Sequence, residues 1–410
     1  MQIVSVEQLT ARLGSLPGVE PRLVVSGNFG TPTILLQALA ASRERCRVFA
    51  LNAQSGWPVH PGFINETPFV GPGMRHDPGL DYLPMRLSLV PRLFDSLRPV
   101  DAVLVQASVP RSGRISLGIE VDILPAAIER VHARGGLAVA QLNRNMPYTF
   151  GDGEFPTDWF DLAVEADEPL SSPGQRDPSE AEIRIGELAA GFAEDGSTVQ
   201  VGIGQVPDVA AGELVGRRHL GIWSEVVGDG VLALERAGSL DLGRPIRTSF
   251  LFGSPELYQW AHLNPRLRMT RTEVVNDPAR IASNPAMVSI NTTMQIDLFA
   301  QANASFVHGA VYSGFGGQPD FVLGALHSTG GHAVVALRSW HDKTDSSAVL
   351  PILTDPATSF QHSAIVSEHG SAEIFGRSQR AQARLIIDEV ADPRARDDLR
   401  AAASTHWPSA

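Results

Sequence analysis

The stretch TVQVGIGQVPDVAAGEL, residues 198–214, decides the fold class of this sequence. Its first four residues, Thr198–Val201, have the short apolar pattern of a buried strand, and Gly202 and Gly204 follow as a tight turn. Val209–Leu214 then has helical spacing. A strand that passes through a glycine turn into a helix is the repeating unit of α/β proteins, so the stretch predicts helices joining the strands of a largely parallel sheet.

The same alternation extends along the chain on both sides of this stretch. Pro32–Ser42, Pro125–Arg134 and a last segment, Ser378–Glu389, have helical spacing. Short apolar runs predict strands at Arg22–Ser26, Arg47–Leu51, Asp101–Gln106, Leu137–Leu142, Trp159–Val164, His219–Trp223, Thr248–Phe252, Met287–Asn291, His332–Leu337 and Ala364–Ser367.

A linker-like segment divides the two series of strands. Residues 168–180, EPLSSPGQRDPSE, are rich in Pro and Ser, and a helix with Ser179 as its N-cap and Glu182 three residues on is predicted to follow, to Glu194. A chain of 410 residues is long enough for two domains. We expect an N-terminal domain at 1–178 and a C-terminal domain at 179–410.

Composition narrows the function classes. A formal net charge of -12 argues against a non-specific nucleic-acid binder. The single cysteine, Cys46, excludes an intrachain disulfide, and the 12 histidines lack metal-ligand spacing, so we expect no metal site. No run reaches the ~18 apolar residues of a membrane span, and the first residues lack the pattern of a secretory signal. We therefore expect a cytoplasmic protein without a membrane partner.

Glu225 is the first candidate for chemistry, in LGIWSEVVGDG, residues 220–230. It follows a predicted strand, and active groups gather at strand ends in open α/β sheets. A carboxylate there can attack an electrophilic carbonyl. Taken alone, a glutamate at a strand end is more often a solvated or capping residue.

Two further motifs contain glycines beside polar residues. In YSGFGGQPDF, residues 312–321, the glycines allow unusual backbone angles, and the exposed N–H groups can form a nest for an oxyanion. Pro319 prevents completion of a Rossmann dinucleotide motif. SEHGSAEIFG, residues 367–376, joins a predicted strand to the last predicted helix. His369 stands beside Glu368 there, but neighbours on a strand point to opposite faces, which favours a structural role.

Taken together and in this order, these motifs resemble the acetyl-CoA hydrolase/transferase family of class I CoA-transferases, which includes 4-hydroxybutyrate and acetate CoA-transferases. The resemblance covers nearly the whole chain. Further matching segments are Gly30–Thr33, Ser116–Asp122, Asn143–Asp152, Val275–Pro278 and Ser289–Thr292. It implies two α/β domains of the NagB/RpiA/CoA-transferase-like fold, each with a largely parallel sheet, and a homodimer.

The resemblance also implies the chemistry and its residues. Glu225 stands where the family has its catalytic glutamate, and the implied reaction moves coenzyme A between a short acyl-CoA, acetyl-CoA first, and a small carboxylate through a glutamyl-CoA thioester. Gly317 matches the oxyanion position. The implied CoA-binding positions are Gly202, Ile203, Gly204, Gln205, Val206, Gln295, Ser313, Gly314 and Gly316.

Three departures from the family pattern bear on the substrate. Trp223 stands where the family has His, Arg111 ends a segment that in relatives reads Ser-Pro-x-Asp, and Ala348 replaces an Arg. Trp223 is compatible with a narrowed acyl pocket and equally with core packing. Acyl-CoA hydrolysis by the same glutamate and an inactive CoA-binding protein stay open as alternatives.

Overall fold

The structure, a computed structural model, describes residues 1–95, 97–174, 176–357 and 361–407. The chain divides into two compact units. The first unit contains 1–173, 246–275 and 311–316, and the second contains 174–245, 276–310 and 317–410. Each unit has its own main sheet.

An eight-stranded sheet forms the centre of the first unit, and all its strand pairs are parallel. Its strands are rich in fully buried Val, Leu and Ala, as expected for a parallel sheet covered on both faces. From one edge to the other the strands are Gln2–Ile3, Leu162–Ala166, Leu137–Asn143, Ala102–Ser108, Arg22–Val25, Cys46–Phe49, Phe63–Thr67 and Leu80–Tyr82.

The strand order of this sheet reverses between Arg22–Val25 and its neighbour Ala102–Ser108. Such a topological switch point leaves a crevice outside the carboxyl ends of the two strands, where α/β sheets bind ligands. The segment that leaves Arg22–Val25 there contains a turn of 3-10 helix at Asn28–Gly30. We call Gly27–Gly30 the switch-point loop.

Helices and short strands complete the first unit. Ser5 begins the first helix through a capping box with Gln8. The α-helices are Val6–Gly14, Thr33–Ser42, Leu124–Arg134, Pro255–Ala261 and Thr272–Val275, and the remaining 3-10 segments are Leu87–Phe94 and Thr157–Trp159. Short strand pairs are Arg114–Ser116 with Glu154–Pro156 and Ile246–Thr248 with Leu267–Met269, and Phe250–Leu251 is a further short strand.

A six-stranded sheet forms the centre of the second unit. Five strands run parallel and the last returns as a hairpin. The order is Gly221–Ile222, Thr198–Val201, Met287–Thr292, His332–Ala336, Ala364–Ser367 and Gly370–Glu373. These parallel sheets confirm the α/β fold class that the sequence predicts.

Nine helical segments of the described residues pack in the second unit around this sheet and a smaller one. The α-helices are Glu180–Ala190, Gln205–Glu213, Asp229–Arg236, Pro278–Ala282, Gln318–His327, Gln379–Leu385 and Arg396–His406, with π-helix at Ile386–Val390 and 3-10 helix at Pro393–Ala395. The smaller sheet orders Ala302–Asn303, Gln295–Asp297 and Val349–Leu350. The remaining short strands are Val226–Val227, Phe306–Val307, Ala310–Val311, Trp340–His341 and Ser346–Ser347.

The compact units are not continuous in sequence, unlike the division expected at residue 178. The first boundary lies in the predicted linker, but 246–275 and 311–316 belong to the first unit. The reason is backbone pairing: the Leu251 N–H donates to Ile119 O at 2.8 Å, and Met269 N donates to Phe150 O at 2.9 Å. The predicted strand Thr248–Phe252 is confirmed only in part: Thr248 ends the strand Ile246–Thr248 and Phe250–Leu251 is a second short strand. Both belong to the first unit and not to the second series.

Two other predictions need correction. The strand expected over His219–Trp223 contains only Gly221–Ile222, since His219 has φ +57, outside the range of a strand. The helix expected over Ser378–Glu389 is α-helical only over Gln379–Leu385, and Arg396–His406 follows as an unpredicted last helix. That helix buries Leu399 and little else, so it lacks a clear apolar stripe. None of the described helices is long and apolar enough to cross a bilayer.

Candidate functional site

Glu225 lies at the carboxyl end of the second unit's sheet. Gly221–Ile222 runs parallel to the start of Thr198–Val201, and the Ser224 hydroxyl then donates to Val201 O at 3.1 Å. Ser224 is fully buried, whereas Glu225, the next residue, is half-buried. The hydroxyl bond therefore fixes the chain beside the last residue of the neighbouring strand and leaves the glutamate side chain partly accessible.

Asn276 is the side chain that orients this carboxylate. Its Nδ2 donates to Glu225 Oε2 at 2.5 Å, and Asn276 itself is fully buried. The Asn276 Oδ1 atom is buried without a hydrogen-bond partner in the described structure. The carboxylate therefore faces a neutral donor that is held in place by burial, an arrangement suited to stabilising negative charge on a glutamyl oxygen.

Gly317 closes the other side of the carboxylate. A Cβ atom built on Gly317 would lie 1.7 Å from Glu225 Oε2 and 2.2 Å from Asn276 Nδ2. Its φ of -87 is ordinary, so glycine is required here by space and not by backbone conformation. Gly317 is also the N-cap of Gln318–His327, and the N-terminal end of a ten-residue helix favours negative charge.

The glycine turn after Thr198–Val201 lies next to this cluster. Gly202 follows Val201 directly, and Gly204, with φ +113, is the N-cap of Gln205–Glu213. Beneath it, the amides of Gln200 and Asn291 exchange hydrogen bonds of 3.1 and 3.2 Å across the neighbouring strands. This buried amide pair supports the turn, and the sequence predictions did not include it.

The structure brings five of the predicted binding residues together in one turn and assigns the others to different elements. One turn and the helix start after it contain Gly202, Ile203, Gly204, Gln205 and Val206. They follow the strand Thr198–Val201, which pairs with Gly221–Ile222, the strand that leads to Glu225. Gln295 begins a strand of the smaller sheet of the second unit, where its Oε1 accepts from Asn303 Nδ2 at 3.4 Å.

Ser313, Gly314 and Gly316 belong to the first unit instead. The Ser313 carbonyl accepts from Val70 N at 2.6 Å. Gly314 has φ +127 and a Cβ there would lie 2.6 Å from Pro68 O, while Gly316 has φ +52 and packs on Phe69. These two glycines therefore meet packing and backbone requirements of the first unit, and the glycine motif is divided between units after residue 316.

Three departures from the family pattern occupy ordinary structural positions. Trp223 is half-buried, and its backbone N–H donates to Val199 O at 3.3 Å. Arg111 is exposed in a turn, where its backbone N–H donates to Arg114 O. Ala348 is fully buried in the second unit.

His369 and Glu368 are not neighbours on a strand, as the sequence argument assumed. They form the turn between Ala364–Ser367 and Gly370–Glu373. The His369 ring lies 3.6 Å from Asp392 and 4.0 Å from Glu368, while Glu368 accepts from the N–H and hydroxyl of Ser339. Within the described residues, no group of three or more His, Cys, Asp or Glu side chains is placed to hold a metal ion.

The chain has two units with parallel sheets and a glutamate held between an asparagine amide and a glycine. These features define the class of protein with which we compare it. Residues 253–403 match the family model of the acetyl-CoA hydrolase/transferase C-terminal domain. The chain is 36% identical over 331 residues to the 4-hydroxybutyrate coenzyme A transferase of Clostridium kluyveri, covering 78% of this chain and 76% of the relative.

A second relative and a solved structure extend the match to nearly the whole chain. A succinyl-CoA:acetate/propanoyl-CoA:succinate CoA transferase of Fasciola hepatica is 30% identical, over 92% of this chain and 84% of the relative. The crystal structure of RipA from Yersinia pestis matches with a TM-score of 0.89 at 27% identity, over 99% and 98% of the two chains. The chain belongs to the acetyl-CoA hydrolase/transferase family. Its relatives include CoA-transferases and acetyl-CoA hydrolases.

Proposed function

We propose that this chain is a CoA-transferase that moves coenzyme A between a short acyl-CoA, acetyl-CoA first, and a small carboxylate, with Glu225 as the covalent nucleophile. The observation that carries the proposal is the contact of Asn276 Nδ2 with Glu225 Oε2, beside the Cα of Gly317. A carboxylate held against a buried neutral donor is positioned for attack and keeps its negative charge.

In the first step, an oxygen of Glu225 attacks the thioester carbonyl. The carbon–sulfur bond breaks, leaving a mixed anhydride and the CoA thiolate. The thiolate then attacks the Glu225 side-chain carbonyl, the anhydride carbon–oxygen bond breaks, and the first carboxylate leaves. The product is a glutamyl-CoA thioester, and no water enters either step.

In the second half of the reaction, a new carboxylate attacks the glutamyl thioester and the same steps run in reverse. Each attack on the glutamyl carbonyl places negative charge on an oxygen of Glu225. Asn276 Nδ2 is positioned to donate to that oxygen. The backbone N–H of Gly317, the N-cap of Gln318–His327, is the second donor that we assign. Gly202–Val206, Gln295, Ser313, Gly314 and Gly316 are the proposed contacts to CoA, and a cytoplasmic homodimer is the proposed state.

Hydrolysis by the same glutamate is the second candidate, because relatives of this chain include acetyl-CoA hydrolases. Here water attacks the anhydride or the glutamyl thioester before a carboxylate does. An intact Glu225 with an ordered donor argues against an inactive CoA-binding protein, since such a protein has no need of either.

Trapping the thioester tests the covalent route. The protein is treated with acetyl-CoA in the absence of acceptor, reduced with borohydride, and analysed by peptide mass spectrometry. We expect reduction of one glutamyl side chain, mapped to Glu225 and absent in Glu225→Ala. An unmodified wild-type protein with undiminished acyl-CoA turnover would exclude the glutamyl thioester.

Thiol release separates transfer from hydrolysis. A transferase conserves the thioester, so free thiol does not accumulate and a new acyl-CoA forms only when an acceptor acid is added. A hydrolase releases one thiol for each acyl-CoA with no acceptor present. Both measurements use wild-type protein with Glu225→Ala as the blank.

A further inference from the structure

Two buried carboxyl groups, Glu120 and Asp122, lie inside the first unit and have no role in the proposed reaction. Each residue is only 2% exposed. One oxygen of each carboxyl has a backbone donor: Gly27 N donates to Glu120 Oε1 at 2.9 Å, and Ile123 N donates to Asp122 Oδ1. The second oxygens have no such donor.

Those second oxygens, Glu120 Oε2 and Asp122 Oδ2, are buried and lack a hydrogen-bond donor among the described residues. The two carboxyl groups lie within hydrogen-bonding reach of each other. Two ionised carboxylates cannot satisfy each other, because neither has a proton to donate, and their charges repel at this depth. A single proton between the two oxygens removes both problems.

The charged groups around the pair offer no other neutralisation. The segment packed on it contributes Arg271 and Glu273, and Thr272 N donates to Asp122 O at 3.0 Å. Arg271 is already shared with Glu129, Asp152 and Glu273, at 2.5, 4.0 and 3.3 Å.

Among the described residues, two other elements packed on the pair contribute no positively charged side chain. The switch-point loop contributes the neutral Asn28, and 249–252 contributes only Ser, Phe and Leu side chains. The remaining ionised neighbours of the pair are therefore mostly negative, which favours a protonated state.

The same environment raises the pKa values of both carboxyl groups. Burial, and after it the charge and hydrogen bond of Asp122, raises the pKa of Glu120 well above its usual range, although hydrogen bonds from the Asn28 side chain and the Gly27 amide oppose the rise. Burial raises the pKa of Asp122 to about 6, although hydrogen bonds from Glu120 and from the Ile123 and Leu124 amides oppose the rise.

We propose that Glu120 and Asp122 share one proton at neutral pH, and that this carboxyl–carboxylate bond is a pH-dependent latch that positions the switch-point loop. Glu120 holds the loop at two places: through Gly27 N, and through packing so close that a Cβ on Gly30 would lie 2.9 Å from Glu120 Cβ. Asp122 joins the same point to 249–272, because Asp122 N donates to Ser249 O at 3.3 Å.

The position of the latch gives it a functional consequence. The switch-point loop borders the crevice at which α/β sheets bind ligands. The position of the loop therefore determines the shape of that crevice in the first unit. When the shared proton is lost, two adjacent buried carboxylates repel and Glu120 is driven from the loop. The inference uses only contacts of the first unit and does not depend on the proposed function.

The sign of the pH effect follows from the raised pKa values. Because the folded chain binds these protons more tightly than the unfolded chain, the stabilisation is complete below the unfolded pKa values and is lost as pH rises through the folded ones. For Asp122 that window is from 3.8 to about 6, and for Glu120 it begins at 4.5 and extends higher. Each proton changes the unfolding equilibrium constant about tenfold per pH unit within its window.

Infrared spectroscopy tests for the proton directly. At pH 7 we expect the absorption of a buried, protonated carboxylic acid in the wild type. It should disappear in Glu120→Gln, whose amide donates to Asp122 without a titrating proton, and persist in Glu165→Gln, a control at an exposed position of the first unit's main sheet. Absence of the band in the wild type, or its persistence in Glu120→Gln, overturns the proposal.

Hydrogen exchange of peptides that contain 26–31, corrected for the intrinsic pH dependence, tests the latch. In the wild type and in Glu165→Gln, loop opening should increase from pH 7 to pH 9, whereas Glu120→Gln should show no such increase. An equal increase in all three proteins contradicts a latch. If Glu120→Gln does not fold, Asp122→Asn replaces it: its amide donates to an ionised Glu120, so the band and the pH dependence should again be lost.

Discussion

The Nδ2 atom of Asn276 lies 2.5 Å from Oε2 of Glu225, although 51 positions separate the two residues in sequence. A neutral amide orients the carboxylate without cancelling its charge. The same N–H remains a donor when a glutamyl carbonyl oxygen becomes negative, so the contact serves both the nucleophile and the intermediates that we propose.

Asn276→Ala should lower kcat about 10²- to 10³-fold, the usual cost of losing one donor to an oxyanion. KM for the acyl-CoA should change little, because the lost bond strengthens only as charge develops. Asn284→Ala removes an amide that instead bonds Arg280 O and Ile281 O, and should leave kcat near wild type. Steady-state kinetics of the two variants decide the point, and a change in KM alone would show that Asn276 only binds substrate.

Glu225→Asp should lower kcat by on the order of 10²-fold while CoA still binds. The shorter side chain withdraws the carboxylate from Asn276 and Gly317 by roughly one carbon–carbon bond, and misplacement of about 1 Å has this cost. Calorimetric CoA binding and steady-state turnover measure the two effects separately. Retention of full kcat by Glu225→Asp would mean that the contacts around the carboxylate do not position it.

Gly317→Ala should abolish most activity without unfolding the protein. The added methyl would lie 1.7 Å from Glu225 Oε2, so the half-buried carboxylate must move away from Asn276. Gly212→Ala is the matched control: nothing lies within 4 Å of its Cβ position, in an exposed part of Gln205–Glu213. We expect that control to keep its activity and to gain roughly 0.5–1 kcal/mol of stability. Equal activity of the two variants would argue against close packing at residue 317.

Glu66→Gln should destabilise the first unit by about 3–5 kcal/mol in urea unfolding, the range for breaking a buried ion pair from one side. Glu66 is fully buried and its carboxylate contacts Arg22 at 2.8 Å, Arg47 at 3.1 Å and Arg98 at 2.5 Å. Loss of its charge leaves three guanidinium groups without their shared partner. The exposed pair of Glu187 with Arg184 supplies the control, and Glu187→Gln should change stability by less than about 0.5 kcal/mol.

The same carboxylate should also contribute to acid unfolding. Burial raises the pKa of Glu66, but bonds and charges of Arg22, Arg47 and Arg98 outweigh burial and lower it overall. A lowered folded pKa means that the stabilisation is present above the unfolded value of 4.5 and is lost as pH falls through the folded value. Thermal midpoints measured from pH 7 down to pH 3 should therefore fall more steeply for wild type than for Glu66→Gln. If the midpoints of the two proteins fall in parallel with pH, Glu66 does not contribute to acid unfolding.

Much of the local structure could be predicted from the sequence because it depends on residues close together. The strand Thr198–Val201 and the capping box of Ser179 with Glu182 both occur as predicted. The helix Arg396–His406 could not be predicted, since most of its residues are polar and its place depends on packing around Leu399.

The candidate site could be predicted only in part. Glu225 and Gly317 each belong to a recognisable motif, and the structure places them in contact. Asn276 lies in Val275–Pro278, a segment that already contributes to the resemblance, and this was the signal that could have identified it. Its role could not be inferred, because no periodicity relates a loop asparagine to a glutamate 51 positions away.

The sequence by itself determined the α/β class and the family, and it singled out Glu225 as the proposed nucleophile, because these inferences depend on local periodicity and on short motifs. Only the tertiary structure decided that 246–275 joins the first unit, that Asn276 faces Glu225, and that Glu120 faces Asp122. These relationships depend on which strand ends and loops meet when apolar surface is buried. Polar groups that are buried in the same process must form hydrogen bonds with one another, because they have lost contact with water.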